Sequence, residues 1–111
     1  MYKQYDIVLV PFPYSDLSGN KQRPALIISN NNLNKSEDRI CVLITSVPNL
    51  DSIKIEDKDI ILKLPFESYV KPYRIFTVSN TKIIKKITSV KKEFHNKVIQ
   101  KINFYIENNY S

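Results

Sequence analysis

This chain has almost none of the residues on which much enzyme chemistry depends: of its 111 residues one is cysteine, one is histidine, one is glycine and none is tryptophan. A lone cysteine, Cys41, makes no intrachain disulfide, which suits a reducing compartment. One histidine and one cysteine cannot build a zinc site, and no tight carboxylate cluster suggests magnesium or calcium, so neither a metal nor a cofactor is expected. No apolar run approaches the roughly 20 residues that cross a bilayer. The amino terminus enters Tyr2-Lys3-Gln4-Tyr5-Asp6 without the apolar stretch of a signal peptide. The expected location is the cytoplasm, with no membrane contact.

What is present describes a small folded domain. Hydrophobic residues make up 42% and charged residues 25%, a balance too rich in Ile, Val, Phe and Tyr for a disordered chain. The length holds one core, so residues 1–111 are expected to form a single domain. Seventeen basic residues against eleven acidic ones leave a net charge of +6. Such a surface favours polyanions, nucleic acid first and acidic proteins second. A lysine-rich composition supplies the same charge without any binding role, and only Arg23, Arg39 and Arg74 are arginines.

Along the chain, Ile7-Val8-Leu9-Val10 reads as a strand closed by Pro11-Phe12-Pro13, because two prolines that close forbid a helix. Tyr14 to Gln22 is polar, holds Gly19, and reads as a loop projecting from that strand. Arg23-Pro24 leads into a second strand, Ala25–Ser29, and Asn30–Asp38 reads as an exposed loop. Ile40–Val47 is the most apolar run and predicts a buried strand. Ile53-Lys54-Ile55 alternates like an edge strand. Tyr69–Val78 predicts another, with Tyr73, Ile75 and Thr77 on one face, and Ile83–Ile87 is open between strand and helix. Phe94, Val98, Ile102 and Tyr105 recur at helical steps, which predicts a terminal amphipathic helix capped near Thr88 or Ser89 and fraying at Asn108-Asn109. Five or so short strands and one helix point to a mainly β, α+β fold of the half-open barrel type.

Three stretches fall in an order that carries more than their parts: Asp6–Gly19, Lys21-Gln22-Arg23-Pro24-Ala25-Leu26-Ile27-Ile28-Ser29, and Leu43-Ile44-Thr45-Ser46. Together with Arg74–Ser79 and Lys85-Lys86-Ile87 downstream, they resemble the MazF/PemK-like toxins of bacterial toxin–antitoxin pairs. The resemblance implies an SH3-like half-open barrel of the CcdB/MazF/PemK type, a homodimer, and metal-free cleavage of single-stranded RNA. It also implies an acidic antitoxin whose tail covers the active site and with which DNA is bound. Carried onto this chain, the loop arginine is Arg23 and the strand-end hydroxyl is Thr45. Many members carry Arg-Thr-x-Asp where this chain has Phe76-Thr77-Val78-Ser79, so that arginine and that acid are missing. Arg74, two positions before Phe76 and on its side by strand alternation, is the candidate substitute.

Metal-free RNA cleavage needs an acceptor for the 2′-hydroxyl proton, a cation for the growing phosphate charge and help for the departing 5′-oxygen. The planar fork of Arg23 suits the second task, because it grips two phosphate oxygens at once. Without the resemblance Arg23 reads as an ordinary surface cation entering a strand, and Thr45 equally as a packed strand residue. Thr45 would hold the phosphate in line, with Ser46 the alternative should the register slip. Asp16 is the nearest sequence candidate for the base, though a turn residue fits it as well. Tyr14 and Phe12 could stack on unpaired bases, Phe12 fitting core or rim packing better. Lys21, Lys82 and Lys85 are candidate RNA contacts. Lys82, Lys85, Lys86, Lys91, Lys92, Lys97 and Lys101 crowd one stretch against Glu93 alone, either a landing strip for phosphates or an acidic tail, or a solvated helix face. His95 is expected on the helix surface and Cys41 as a small buried hydrophobe. Two other functions fit the same fold: a non-enzymatic toxin blocking a protein target such as DNA gyrase, which has no need of Arg23 and Thr45, and a nucleic-acid-binding module without catalysis.

Overall fold

The computed structural model describes residues 1–12 and 21–108. Its elements in chain order are β1 (Asp6–Pro11), β2 (Gln22–Ile27), α1 (Asn31–Asn34), β3 (Asp38–Thr45), β4 (Ile53–Lys54), β5 (Tyr69–Ser79), β6 (Lys85–Ser89) and α2 (Lys92–Ile106). The six strands form one antiparallel sheet in the order β4-β5-β3-β2-β1-β6. The sheet curls until its two edges approach. Ile60, just after β4, bridges Val90, just after β6, and the Lys91 N–H donates to Asp59 O at 2.8 Å. The result is an SH3-like half-open barrel with a terminal helix.

Two apolar clusters sit on the two faces of this sheet, because β1, β2 and β3 are apolar at successive positions and bury both faces. The first joins Ile7, Leu26, Val42, Ile44 and Val70 to Phe94, Val98 and Ile102 of α2. The second joins Val8, Val10, Ala25, Ile27, Cys41 and Ile83, with Phe76 packed against it. α2 has no side-chain cap at its first turn. Packing therefore holds it: each buried apolar side chain is worth roughly 1.5–3 kcal/mol, against about 1 kcal/mol for a cap.

The sequence reading needs four corrections. Thr88 and Ser89 do not cap the helix; they belong to β6, where Thr88 Oγ1 accepts from Leu62 N at 2.9 Å and Ser89 Oγ donates to Asp6 Oδ1 at 3.0 Å. The Thr88 hydroxyl helps close the barrel, and that of Ser89 ties β6 to β1. Asn30–Asp38 is not all exposed loop, since Asn30 caps α1 and Asn34 is buried, trading bonds of 2.6 and 2.7 Å with Ser29. The helix stripe stops one turn early: Phe94, Val98 and Ile102 are buried, while Tyr105 and Ile106 are exposed. His95 is buried rather than on the helix surface. Its ring stands edge-on to Tyr5 at 4.9 Å, with Nε2 3.4 Å from Gln4 Nε2 and from Ile28 O. Tyr5 sits at φ 80°, and that strained turn brings the amino-terminal segment under the helix.

Candidate active site

β1 and β2 pair with Val10 opposite Arg23 and Pro11 opposite Gln22, and the Phe12 N–H extends the ladder to Lys21 O at 2.9 Å. The β2–β3 ladder runs Ile27↔Cys41, Leu26↔Val42, Ala25↔Leu43 and stops there. The next residue on β2 is Pro24, which has no N–H to donate. Beyond it the same register sets Arg23 across from Thr45, the last residue of β3. Proline thus stands where the β2–β3 pairing ends, one residue after Arg23 on β2 and opposite the residue before Thr45 on β3.

Alternation decides which face they share. Ala25, Ile27 and Cys41 belong to the second cluster, and Arg23 and Thr45 have the parity of those residues. Both therefore project to the face away from α2. Arg23 is half-buried and makes no hydrogen bond or ion pair among the described residues. Thr45 is also half-buried, and its Oγ1 accepts from the Val47 N–H at 3.1 Å. That local turn fixes the oxygen while leaving its own proton free to donate. A guanidinium and a hydroxyl donor on one face are groups that can take the oxygens of an anion.

The other sequence candidates scatter. Ser46 is exposed and follows the end of β3. Arg74 is exposed on a β5 bulge, where Lys71 pairs with Leu43 but Ile75 pairs with Val42, so no pairing brings it to Arg23 or Thr45. Lys21 is exposed immediately before β2. Lys82 is exposed in a 3-10 turn, and Lys85 pairs with Leu9, whose parity is opposite to that of Val10 beside Arg23. Lys85 is therefore on the other face. Phe12 meets Phe76 edge-on at 5.6 Å and is half-buried, a packing role. Tyr14 and Asp16 lie outside the described residues. The lysine-rich stretch is divided: Lys86 pairs with buried Asp6 at 3.3 Å, Lys97 lies over Phe94, and Lys101 lies over Phe104 and Tyr105.

Arg39 went unrecognised in the sequence. It is fully buried, with Nε donating to Tyr2 O and Nη1 to Ser36 O and Asp38 O, each at 2.9 Å. It is a structural cation that ties the amino terminus to β3. Cys41 is buried as expected, and burial pushes its thiol up to about 12 despite the opposing charge of Arg39. It is no nucleophile. Grooves of about 690 and 630 Å³ lie around residues 54–68 and between residues 50–58 and α2; neither includes Arg23 or Thr45. Among the described residues, no three of His, Cys, Asp and Glu stand close enough to hold a metal ion.

The family model for the PemK-like, MazF-like toxins of type II toxin–antitoxin systems matches residues 3–106. The chain belongs to this family. Among solved structures, one described as an endoribonuclease in complex with its cognate antitoxin, from a mycobacterial species, superposes with a TM-score of 0.79 at 18% identity, covering 100% of both chains. MazF in a MazE–MazF complex from Deinococcus radiodurans gives 0.75 at 14% identity, over 95% of each chain. The Mycobacterium tuberculosis toxin MazF-mt6 gives 0.72 at 15% identity, over 95% of this chain and 99% of that one. A search of curated protein sequences finds no match. At these identities the shared property is the fold of the PemK-like toxins, and no helix among the described residues is long and apolar enough to cross a membrane.

Proposed function

We propose that this PemK-like toxin is a metal-independent endoribonuclease acting on single-stranded RNA in the cytoplasm as a single domain. The observation that supports the reading is the β2–β3 register, which carries Arg23 and Thr45 to neighbouring ends of β2 and β3 on the face away from α2. The 2′-oxygen of one nucleotide attacks the adjacent phosphorus, and the bond from phosphorus to the 5′-oxygen breaks. The 2′-hydroxyl proton passes to a base, and the departing 5′-oxygen takes up a proton. The products are a 2′,3′-cyclic phosphate and a 5′-hydroxyl. Arg23 acts as the electrostatic clamp rather than as the proton donor, its planar fork gripping two phosphate oxygens at once. Thr45 donates to a non-bridging oxygen and holds the phosphate in line. Asp16 is the candidate base.

We further propose that the toxin is a homodimer restrained by an acidic antitoxin. Solved relatives stand in complex with antitoxins. The net charge of +6 favours an acidic tail. Val47, Leu50, Phe104 and Ile106 are more than half exposed and offer apolar side chains to such a partner. The test is incubation of the purified protein with a long single-stranded RNA. Discrete fragments from wild type, and none from Arg23→Ala, are the expected result. Intact RNA with tight binding would point to the non-catalytic module, and intact RNA with no binding to a protein-blocking toxin.

A further inference from the structure

Next to Arg23 and Thr45 lies a polar group that the proposed reaction has not used. β5 pairs with β3 so that Tyr69 faces Thr45 and Lys71 faces Leu43, and β4 adds Lys54 opposite Tyr69. Cross-strand partners share a face. Arg23, Thr45, Tyr69 and Lys54 therefore form one row across four strands, with Lys71 in the row behind.

Two features separate these residues from ordinary surface charge. The Tyr69 hydroxyl donates to Glu67 Oε1 at 3.1 Å, and Lys54 Nζ lies 3.3 Å from the same oxygen. The Lys54 and Tyr69 hydrogen bonds hold the Glu67 carboxyl below its usual range. Burial, then the Glu67 carboxylate, raises the Tyr69 phenol, which stays protonated. The ring stands beside Thr45, its hydroxyl tethered to Glu67 at the surface and its face open to stacking. Lys71 is half-buried, yet makes no hydrogen bond or ion pair among the described residues. Its ammonium, without a partner among the described residues, is available to a ligand. Thr45 and Lys71 are diagonal neighbours, about 7–8 Å apart at their backbones and within reach of a long side chain. That separation is comparable with the distance between neighbouring phosphates of one strand.

We propose that Tyr69 and Lys71 form a nucleotide subsite. Lys71 takes the phosphate adjoining the one held by Arg23 and Thr45, and Tyr69 stacks on the base between them. This subsite rests on the endoribonuclease reading and states how that site takes hold of its substrate. It also answers a local lack, since Phe76-Thr77-Val78-Ser79 further along β5 offers no cation. An acidic peptide would use Lys71 but has no use for an aromatic face.

The test measures binding of a fluorescent mixed-base 2′-O-methyl oligonucleotide, which cannot be cleaved, alongside cleavage of the matching RNA. The proteins are wild type, Lys71→Met, Lys71→Arg, Tyr69→Leu, Tyr69→Phe and, as a single-charge control at the exposed end of α1, Lys35→Met. Lys71→Met should weaken binding about tenfold and lower the slope of log affinity against log salt by roughly 0.7, with Lys71→Arg restoring both. Tyr69→Leu should weaken binding by about tenfold or more, and Tyr69→Phe by far less, because the ring and not the hydroxyl stacks. Lys71→Gln and Tyr69→His replace any variant whose melting temperature falls. If wild type binds and cleaves but Lys71→Met loses no more than Lys35→Met, the subsite is wrong and the ribonuclease stands. The subsite is equally wrong if Tyr69→Leu binds like wild type, or if the Lys71 effect appears with poly-glutamate and not with the oligonucleotide. Binding that depends on both residues without any cleavage keeps the subsite and removes the ribonuclease. A wild type that neither binds nor cleaves removes both.

Discussion

Arg23 and Arg39 make a matched pair of perturbations, because the chain holds the same side chain in two opposite environments. Arg39 is fully buried and gives three hydrogen bonds to main-chain carbonyls. Its truncation to alanine strips those carbonyls of their donors; at about 1 kcal/mol for each bond, the loss reaches about 3 kcal/mol. For a domain of this size that lowers the melting temperature by roughly 10 °C. Arg23 is half-buried with no bond or ion pair among the described residues, so Arg23→Ala should cost on the order of 0–1 kcal/mol and barely move the melting curve. Its effect belongs in the rate. A preorganised charge facing the phosphate is worth roughly 3–4 kcal/mol of transition-state stabilisation, a few hundredfold in cleavage. Arg23→Lys should recover part of this, since a point charge does not reproduce the bidentate fork. The assay pairs thermal melting with initial rates on one RNA substrate. A folded Arg23→Ala protein cleaving at the wild-type rate would refute the clamp. A fall in its melting temperature like that of Arg39→Ala would make Arg23 structural.

Further expectations follow from the same geometry. Thr45→Ala should cleave at a rate between wild type and Arg23→Ala, with Thr45→Ser close to wild type, because a hydroxyl and not a methyl is required; equal loss in both would show that packing matters instead. The Cys41 thiol should resist a thiol reagent at pH 8 in the folded protein and react on unfolding. Its folded pKa of about 12 lies above the ordinary value of 9.0, so its stabilising effect is complete below pH 9 and is lost as the pH rises from there towards 12. Prompt labelling of the native protein would contradict the burial. An acidic antitoxin-like peptide should bind with an affinity that falls steeply between low and physiological ionic strength, and an affinity indifferent to salt would remove the acidic-tail proposal.

What could be read from residues alone was whatever depends on local order. The β-branched run at Ile7–Val10, the apolar run through Ile44 and the helical spacing of Phe94, Val98 and Ile102 declare their elements because side-chain period and backbone period coincide. The Asp6–Gly19, Arg23-Pro24 and Ile44-Thr45 stretches carried the family as well. What depends on partners distant in sequence stayed hidden. Thr88 and Ser89 look like helix caps until Leu62 and Asp6 are found across from them. His95 looks like a surface residue because Tyr5, which covers it, is ninety positions away. Tyr69 and Lys71 alternate correctly along an expected strand, yet nothing local tells that Tyr69 lies opposite Thr45. Arg74 lies on a bulge that the sequence does not mark, so alternation from Phe76 does not fix its side.

The account is tested most directly by one pair of RNA oligonucleotides, identical except that one carries a single 2′-deoxy nucleotide on the 5′ side of the cleaved bond, each incubated with the protein in EDTA. The account predicts cleavage of the all-ribose strand at an undiminished rate, with a 2′,3′-cyclic phosphate and a 5′-hydroxyl at the new ends. The 2′-deoxy strand should stay intact at that position. Cleavage of both strands, or activity abolished by EDTA and restored by magnesium, would contradict attack by the 2′-oxygen under the charge of Arg23.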